Sequence, residues 1–413
     1  MGTLIKNFFI ALRQIFIGNR AYYIWVGCLF FFIFLGLNAY IDQLNRGLIH
    51  TAMRDQVSWG MYISNFTFLV GVAAAAVLLV VPAYLYDFKP IKEIVLFGEL
   101  LAITAICMCL MFIVTDMGQP SRAWHILPVI GSMHFPASLL AWDVVVLNGY
   151  LAINAIVAFY VLYRLSIGKE YNMAVVGPLI ILSIPWAVSI HTVTAFLYNG
   201  LSARPYWNAS ILAPRFLASA FCSGPAIMLI LFQFIRKLSK VEIDNKAIFK
   251  IAELIAYAMA INLFLLGAEV FKEFYSGSND TLSIRYLYFG LHGKASLVPW
   301  MWAASIMNIT AFFLFLFPRT RENFTTLNMG CLLIFLGVYI EKGMGLVVPG
   351  FVPDTLGEIY EYSPTSSEII ITMGIWAAGA LIYTLLLKFA IPIYTGKLRF
   401  ETKEPVGGRL PSS

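Results

Sequence analysis

Ten stretches of the chain stay apolar long enough to cross hydrocarbon, at roughly 21–41, 59–84, 93–115, 139–162, 173–197, 211–235, 248–271, 299–317, 327–347 and 367–391. Polarity does not alternate residue by residue along them, as the strands of a membrane barrel require. Backbone groups in lipid must be satisfied within their own segment, so each run is predicted to be a helix. Ahead of the first run, Leu4, Ile5, Phe8, Phe9, Leu12, Ile15 and Phe16 are interleaved with Lys6, Asn7, Arg13 and Gln14. That mixture predicts an interfacial helix. The first long run ends at Asn38-Ala39-Tyr40 with no small-x-small cleavage pattern, so it reads as a span and not as a signal peptide.

Composition supports the same class. Of 413 residues 60% are hydrophobic and 12% charged, with a mean hydropathy of +0.80. A water-facing surface needs about twice that share of charge. A soluble enzyme, a nucleic-acid binder and a disulfide-stapled secreted module are thereby excluded. With the N-terminus inside, 19 of the 28 lysines and arginines fall in cytoplasmic segments. The bias predicts a multi-pass protein of the inner (cytoplasmic) membrane with both termini cytoplasmic, and it accounts for the net charge of +6. Cys28, Cys107, Cys109, Cys222 and Cys331 all sit in apolar runs, without a C-x-x-C or C-x-x-C-H pattern. No metal site, iron-sulfur cluster or c-type haem is expected. Only His191 among the five histidines falls within a helix, so a bis-histidine haem is not expected either.

An internal repeat organises the chain. His134, Ala137, Ser138, Leu139 and Trp142 recur as His292, Ala295, Ser296, Leu297 and Trp300, an offset of 158 residues. Each copy leads into an inward-running helix, the fourth and the eighth. Four intervening helices give the halves the same orientation, related by an axis along the membrane normal. The predicted fold is all-α, with helices 2–5 and 6–9 as two parallel-related four-helix bundles and helices 1 and 10 peripheral. In residues this gives an interfacial helix at 1–20, helix 1 and an outer loop at 21–58, and the first bundle at 59–210. The second bundle covers 211–366, and helix 10 with a cytoplasmic tail covers 367–413.

Ionisable groups inside a membrane are costly and therefore functional candidates. Asp143, His191, Glu269 and Glu341 all count into the outer third of their helices, and the loop before helix 4 adds Asp116, Arg122, His125 and His134 on the same side. Plainer readings stand beside these. Asp116 and Arg122 can form a loop ion pair of little worth, Glu269 can pair with Lys272, and Glu341 beside Lys342 can snorkel. His134 and His292 suit helix entry. Asp143 resists such a reading, because the second repeat has Met301 at its position. In the inner half, Glu99, Glu253, Asn262 and Asn308 can line a proton path toward the outer site, but suit packing hydrogen bonds between helices better.

Two blocks carry a family resemblance. The first is Trp59-Gly60 followed by Asn65, Phe66 and Gly71. The second is Asp116-Met-Gly118-Gln-Pro120-Ser-Arg122-Ala-Trp124-His125 followed by Trp142-Asp143. The second resembles the D-x-G-x-P-x-R-x-W/F-H loop and W-D helix entry of the NrfD/PsrC family, membrane subunits of polysulfide-reductase-type quinone oxidoreductases. With ten helices the chain is most similar to the larger branch of that family, the DsrP-type subunits of DsrMKJOP complexes. Gln119 departs from the pattern, where arginine is common, and puts anion contacts in that loop in doubt.

The resemblance implies a dissociable menaquinone in the outer half of the first bundle, and an iron-sulfur subunit docked on the outer face with further haem or iron-sulfur subunits beyond it. It also implies electron transport in anaerobic or sulfur respiration. Asp143 and His191 would then exchange protons with the quinol, His125 would relay them and Arg122 would orient a carbonyl. Asp116, Trp142, Asn65 and Glu269 would line the quinone. A secondary transporter shares the repeated bundles and buried carboxylates, but usually has inverted repeats and helices broken at mid-membrane; Pro185 is the one clear interruption here. A purely structural anchor of a redox complex is the third reading, and it leaves Asp143 unexplained.

Overall fold

The computed structural model describes residues 10, 13–127, 130–239, 241–277, 281–354 and 356–400. Most of the expected interfacial helix and the end of the tail lie outside the described residues. Among the described residues ten helices are long and apolar enough to span a membrane. We label them α1 (Arg20–Arg46), α2 (Met61–Leu85), α3 (Val95–Asp116), α4 (Leu139–Ser166), α5 (Met173–Asn199), α6 (Leu212–Leu238), α7 (Asn245–Ser276), α8 (Val298–Leu316), α9 (Phe324–Phe351) and α10 (Ser366–Tyr394). No strand occurs among those residues.

Local chemistry sets the ends. Side chains of Asn19, Ser138, Asn172, Asp244 and Asn323 accept from backbone N–H groups at the starts of α1, α4, α5, α7 and α9. Thr365 and Glu368 form a reciprocal capping box on α10. Helix α7 closes on Gly277 at φ 59°. It extends to Ser276, so Glu269 lies about two turns inside it, deeper than the hydropathy run implied.

The proline expectation is corrected. Helix α5 runs unbroken through both Pro178 and Pro185, and α6 through Pro225. Two spans are irregular: the regular helix of α2 stops at Ala74 and resumes at Val77–Val80 before a π-helical turn at Val81–Leu85 containing Pro82, and that of α9 stops at Lys342 and resumes at Met344–Val347 before a 3-10 turn at Val348–Phe351.

Two closed rings form the body. In the first, α2 packs on α3, α3 on α4, α4 on α5 and α5 back on α2; in the second, α6 to α9 repeat that order. The rings meet where α2 crosses α6, flanked by α5 against α6 and its symmetry mate α9 against α2. That is the pattern of a two-fold axis along the membrane normal. Small residues allow the crossing, with Gly71 facing Ala220, and Gly224 facing Val72 and Ala75. Outside the rings, α10 packs on α3, while α1 takes α10 as its chief partner.

Candidate functional site

The first ring gathers polar groups in the half predicted to face outward. Ser138 caps α4, which puts Asp143 four residues in, ~6 Å from the helix start. Asp143 is fully buried. Thr194 of α5 donates its hydroxyl to Asp143 Oδ1 at 2.8 Å; Asp143 Oδ2 has no partner within the chain. One turn before Thr194, His191 is also buried, with Nδ1 3.0 Å from the Ala187 carbonyl. A carbonyl can only accept, so Nδ1 carries the hydrogen and the neutral ring presents Nε2 as an acceptor. That nitrogen is buried and unpartnered.

Tyr198, a further turn along α5, shares a 2.5 Å hydrogen bond with Thr67 of α2. Its ring packs edge-on to Trp59 and Trp207, and Phe351 closes the group. Asp116 ends α3 with Oδ1 buried and unpartnered. Around it, Tyr62 donates to Gln43 Oε1 at 2.6 Å and Gln43 Nε2 donates to the Thr115 carbonyl at 2.9 Å. An apolar cleft of about 320 Å³ between α1, α3 and α10 reaches Thr115 from the lipid side.

Not every residue expected here arrives. Arg122 and His125 lie exposed on the Pro120–Ile126 turn, and the His125 ring centroid is 3.9 Å from that of Trp124. Among the described residues neither bonds to Asp143 or His191, nor does an ion pair join Asp116 to Arg122. Trp142 donates to the Pro136 carbonyl at 2.8 Å and packs on Phe135, holding the helix entry. Asn65 is an interlock: its Oδ1 accepts from Tyr339 at 3.0 Å and Trp376 at 2.8 Å, while Nδ2 donates to Met61.

Glu269 belongs to the second ring, and its expected pairing with Lys272 is corrected. Its partner is Arg215 of α6; Lys272 pairs with Glu273 at 2.7 Å. Arg215 also bonds Glu341 at 3.1 Å, and Asn308 donates to that same carboxylate at 2.9 Å. Asn262 stands 3.5 Å from it. Snorkelling is likewise corrected, since Glu341 and Lys342 are each 3% exposed and Lys342 Nζ lies 3.8 Å from Glu341. Two cations and two carboxylates thus form an electroneutral buried quartet, the arrangement that low dielectric demands. Asn262 and Asn308 make the interhelical hydrogen bonds expected of them.

Sequence reasoning misses Arg215, Thr194, Tyr198 and Glu368. Hydropathy assigns Arg215 to the outer side, near the start of a long apolar run, and says nothing of what it faces. Glu368 is fully buried and accepts from Ala52 N at 2.9 Å, from Thr365 and from Tyr362. Its signal is present as Thr-x-x-Glu directly before an apolar run.

Comparison with known proteins follows the same outline. The family model described as polysulphide reductase, NrfD, matches residues 49–352. A protein provisionally described as a membrane component of dimethyl sulfoxide reductase, from Halobacterium salinarum, is 26% identical, over 88% of this chain and 90% of its own. A component of the selenate reductase of Mesobacillus selenatarsenatis is 22% identical over 88% and 92%. The Hdr-like menaquinol oxidoreductase integral membrane subunit of Archaeoglobus fulgidus is 22% identical over 86% and 89%.

Proposed function

The chain belongs to the NrfD (polysulphide reductase) family, and from that premise we propose that it is the quinone-interacting membrane subunit of a redox complex. In this reading it exchanges electrons between menaquinone or menaquinol and an iron-sulfur subunit on the outer face of the inner membrane, with both termini cytoplasmic. The relative named as a menaquinol oxidoreductase subunit supports the substrate class. Within the family, the DsrP-type assignment belongs to this proposal.

One observation carries the reading. Asp143 Oδ2 and His191 Nε2 are buried acceptors left without partners, one helical turn apart through Thr194, in a ring otherwise walled by aromatic and apolar side chains. A quinone ring needs such walls with a few convergent polar groups. The cleft between α1, α3 and α10 is apolar enough for its isoprenoid tail, and its lining includes Thr115, the residue before Asp116 in the chain. When bound, the quinone couple supplies two electrons and two protons. Asp143 accepts or returns a proton at Oδ2, with Thr194 holding the carboxylate in place, and His191 does so at Nε2. The Trp59–Tyr198–Trp207–Phe351 group keeps bulk water from the pair.

Purifying the intact complex and extracting its lipid tests the proposal: about one menaquinone per complex is expected. Complexes that oxidise no menaquinol analogue and retain no quinone would overturn it.

A further inference from the structure

Between the rings lies a small cavity that neither the proposed quinone site nor the buried quartet absorbs. It leaves about 10 Å³ for the centre of a water molecule, room for one, and its lining includes His191, Thr67, Ser219, Ser223, Gly71 and Lys342. His191 Nε2 and Lys342 Nζ are both buried without a hydrogen bond, Nζ having Glu341 at 3.8 Å and the Phe216 ring beside it. They come from opposite rings, α5 and α9.

We propose that one ordered water occupies this cavity, bridges Lys342 Nζ to His191 Nε2, and carries protons between the two rings; its transport role rests on the quinone reading above. The bonding capacities match. Lysine has only donors to give, and His191 Nε2 in the tautomer fixed by Ala187 has only a lone pair. Water accepts from the first and donates to the second. The hydroxyls of Thr67, Ser219 and Ser223 already donate to the carbonyls of Ile63, Phe216 and Ser219, leaving lone pairs for the water's second hydrogen. Two to four polar partners are what a buried water requires.

The path is then Asp143 and His191 in one ring, the water, and Lys342 with Glu341, Arg215 and Glu269 in the other. Each hop moves one proton and no electron. A proton arriving at His191 Nε2 is passed to the water once Lys342 has handed one of its own protons to Glu341, 3.8 Å away, so that the emptied Nζ takes one from the water; reduction of a quinone runs the hop backwards. The charged groups next to Lys342 are Glu341, its neighbour on α9, and through it Arg215 from α6. Because the quartet is neutral as built, it can take up or give out one proton by changing its net charge by one.

The test uses the intact complex in two forms. A high-resolution electron cryomicroscopy map of the native complex should show one density within hydrogen-bonding distance of both Nε2 and Nζ. Absence of that density, or a density touching only hydroxyls, overturns the site whether or not quinone is bound. Gly71→Ala is the second form, since its added methyl meets nothing nearer than 3.5 Å yet projects toward Ala220 and Ser223 in the cavity wall. The density should disappear, quinone content should stay native, and proton-coupled turnover should fall about tenfold with a larger solvent deuterium isotope effect. Native turnover and isotope effect in Gly71→Ala complexes that have lost the density would overturn the transport role. Loss of quinone from the native complex would instead count against the proposed function.

Discussion

His134 and His292, 158 positions apart in the chain, share a left-handed backbone, at φ 46° and 48°. Few side chains are held in that region without cause. Both residues lead into the Ala-Ser-Leu segment before a spanning helix, α4 or α8, and both belong to loops that turn the chain back into its ring. The matching strain places the repeat at the level of backbone geometry, beyond the shared letters. It also isolates the difference that matters, since the position one residue past each conserved tryptophan is Asp143 in one ring and Met301 in the other.

Asp143→Asn keeps the side-chain volume and the Thr194 contact while removing the base. Menaquinol-analogue oxidation by the assembled complex should fall by ~10²-fold or more, typical for a lost general base. Quinone content should survive. Met301→Leu conserves volume and should cost little. Near-native turnover in intact Asp143→Asn complexes would remove this carboxylate from the mechanism.

Arg215→Met leaves Glu269 and Glu341 buried without their guanidinium. Breaking a buried pair in this way costs about 3–5 kcal/mol, so the melting temperature of the purified subunit should drop sharply. Adding Glu269→Leu should recover part of the loss by removing one orphaned charge. An additive double variant would show that the two residues do not act as a pair.

Tyr362 lies in the loop before α10, where burial and the neighbouring Glu368 carboxylate push its phenol above the ordinary range. The folded state thus keeps this proton at pH values where the unfolded chain loses it. Its contribution is complete below about pH 10 and is lost as pH rises beyond that. Wild-type stability should therefore decline more steeply between about pH 10 and pH 11 than that of Tyr362→Phe. Parallel alkaline curves for the two proteins would contradict this.

The basic-residue bias predicts that alkaline phosphatase fused after Ser413 stays inactive in cells, whereas a fusion in the loop at 117–138 is active. The reverse pattern would invert the membrane orientation and with it the side on which Asp143 meets a partner.

Much of this was legible in the chain because hydrocarbon imposes a single rule on length and polarity. All ten spans lie where the apolar runs put them, with ends shifted by a few residues where caps such as Asp244 and Gly277 extend the helix. Asp143 and His191 could be read as buried because a lone ionisable residue in such a run has nowhere else to go. Partners could not be read. Arg215 meets Glu269 and Glu341 across 54 and 126 residues of sequence only once the second ring closes, a relation that no local spacing encodes. Asn65 reads like a ligand group for the opposite reason: its motif is visible, while the Tyr339 and Trp376 side chains that occupy it come from far along the chain.

The pairing of α1 with α10 bears on how the molecule is made. Gly36 and Gly374 let the two backbones approach so closely that a methyl group on either would strike the other. Most of α1 otherwise faces outward from the rings. Of the ten spans, a ribosome delivers α1 first and its chief partner last, so while the other eight enter the bilayer the leading span is held only near one end, where Gln43 meets Tyr62 and Thr115. It must wait there while both rings assemble, and its docking reports that the tenth span has arrived. Truncation anywhere before Gly374 should therefore leave α1 without its main packing partner, open to membrane proteases that the finished protein resists.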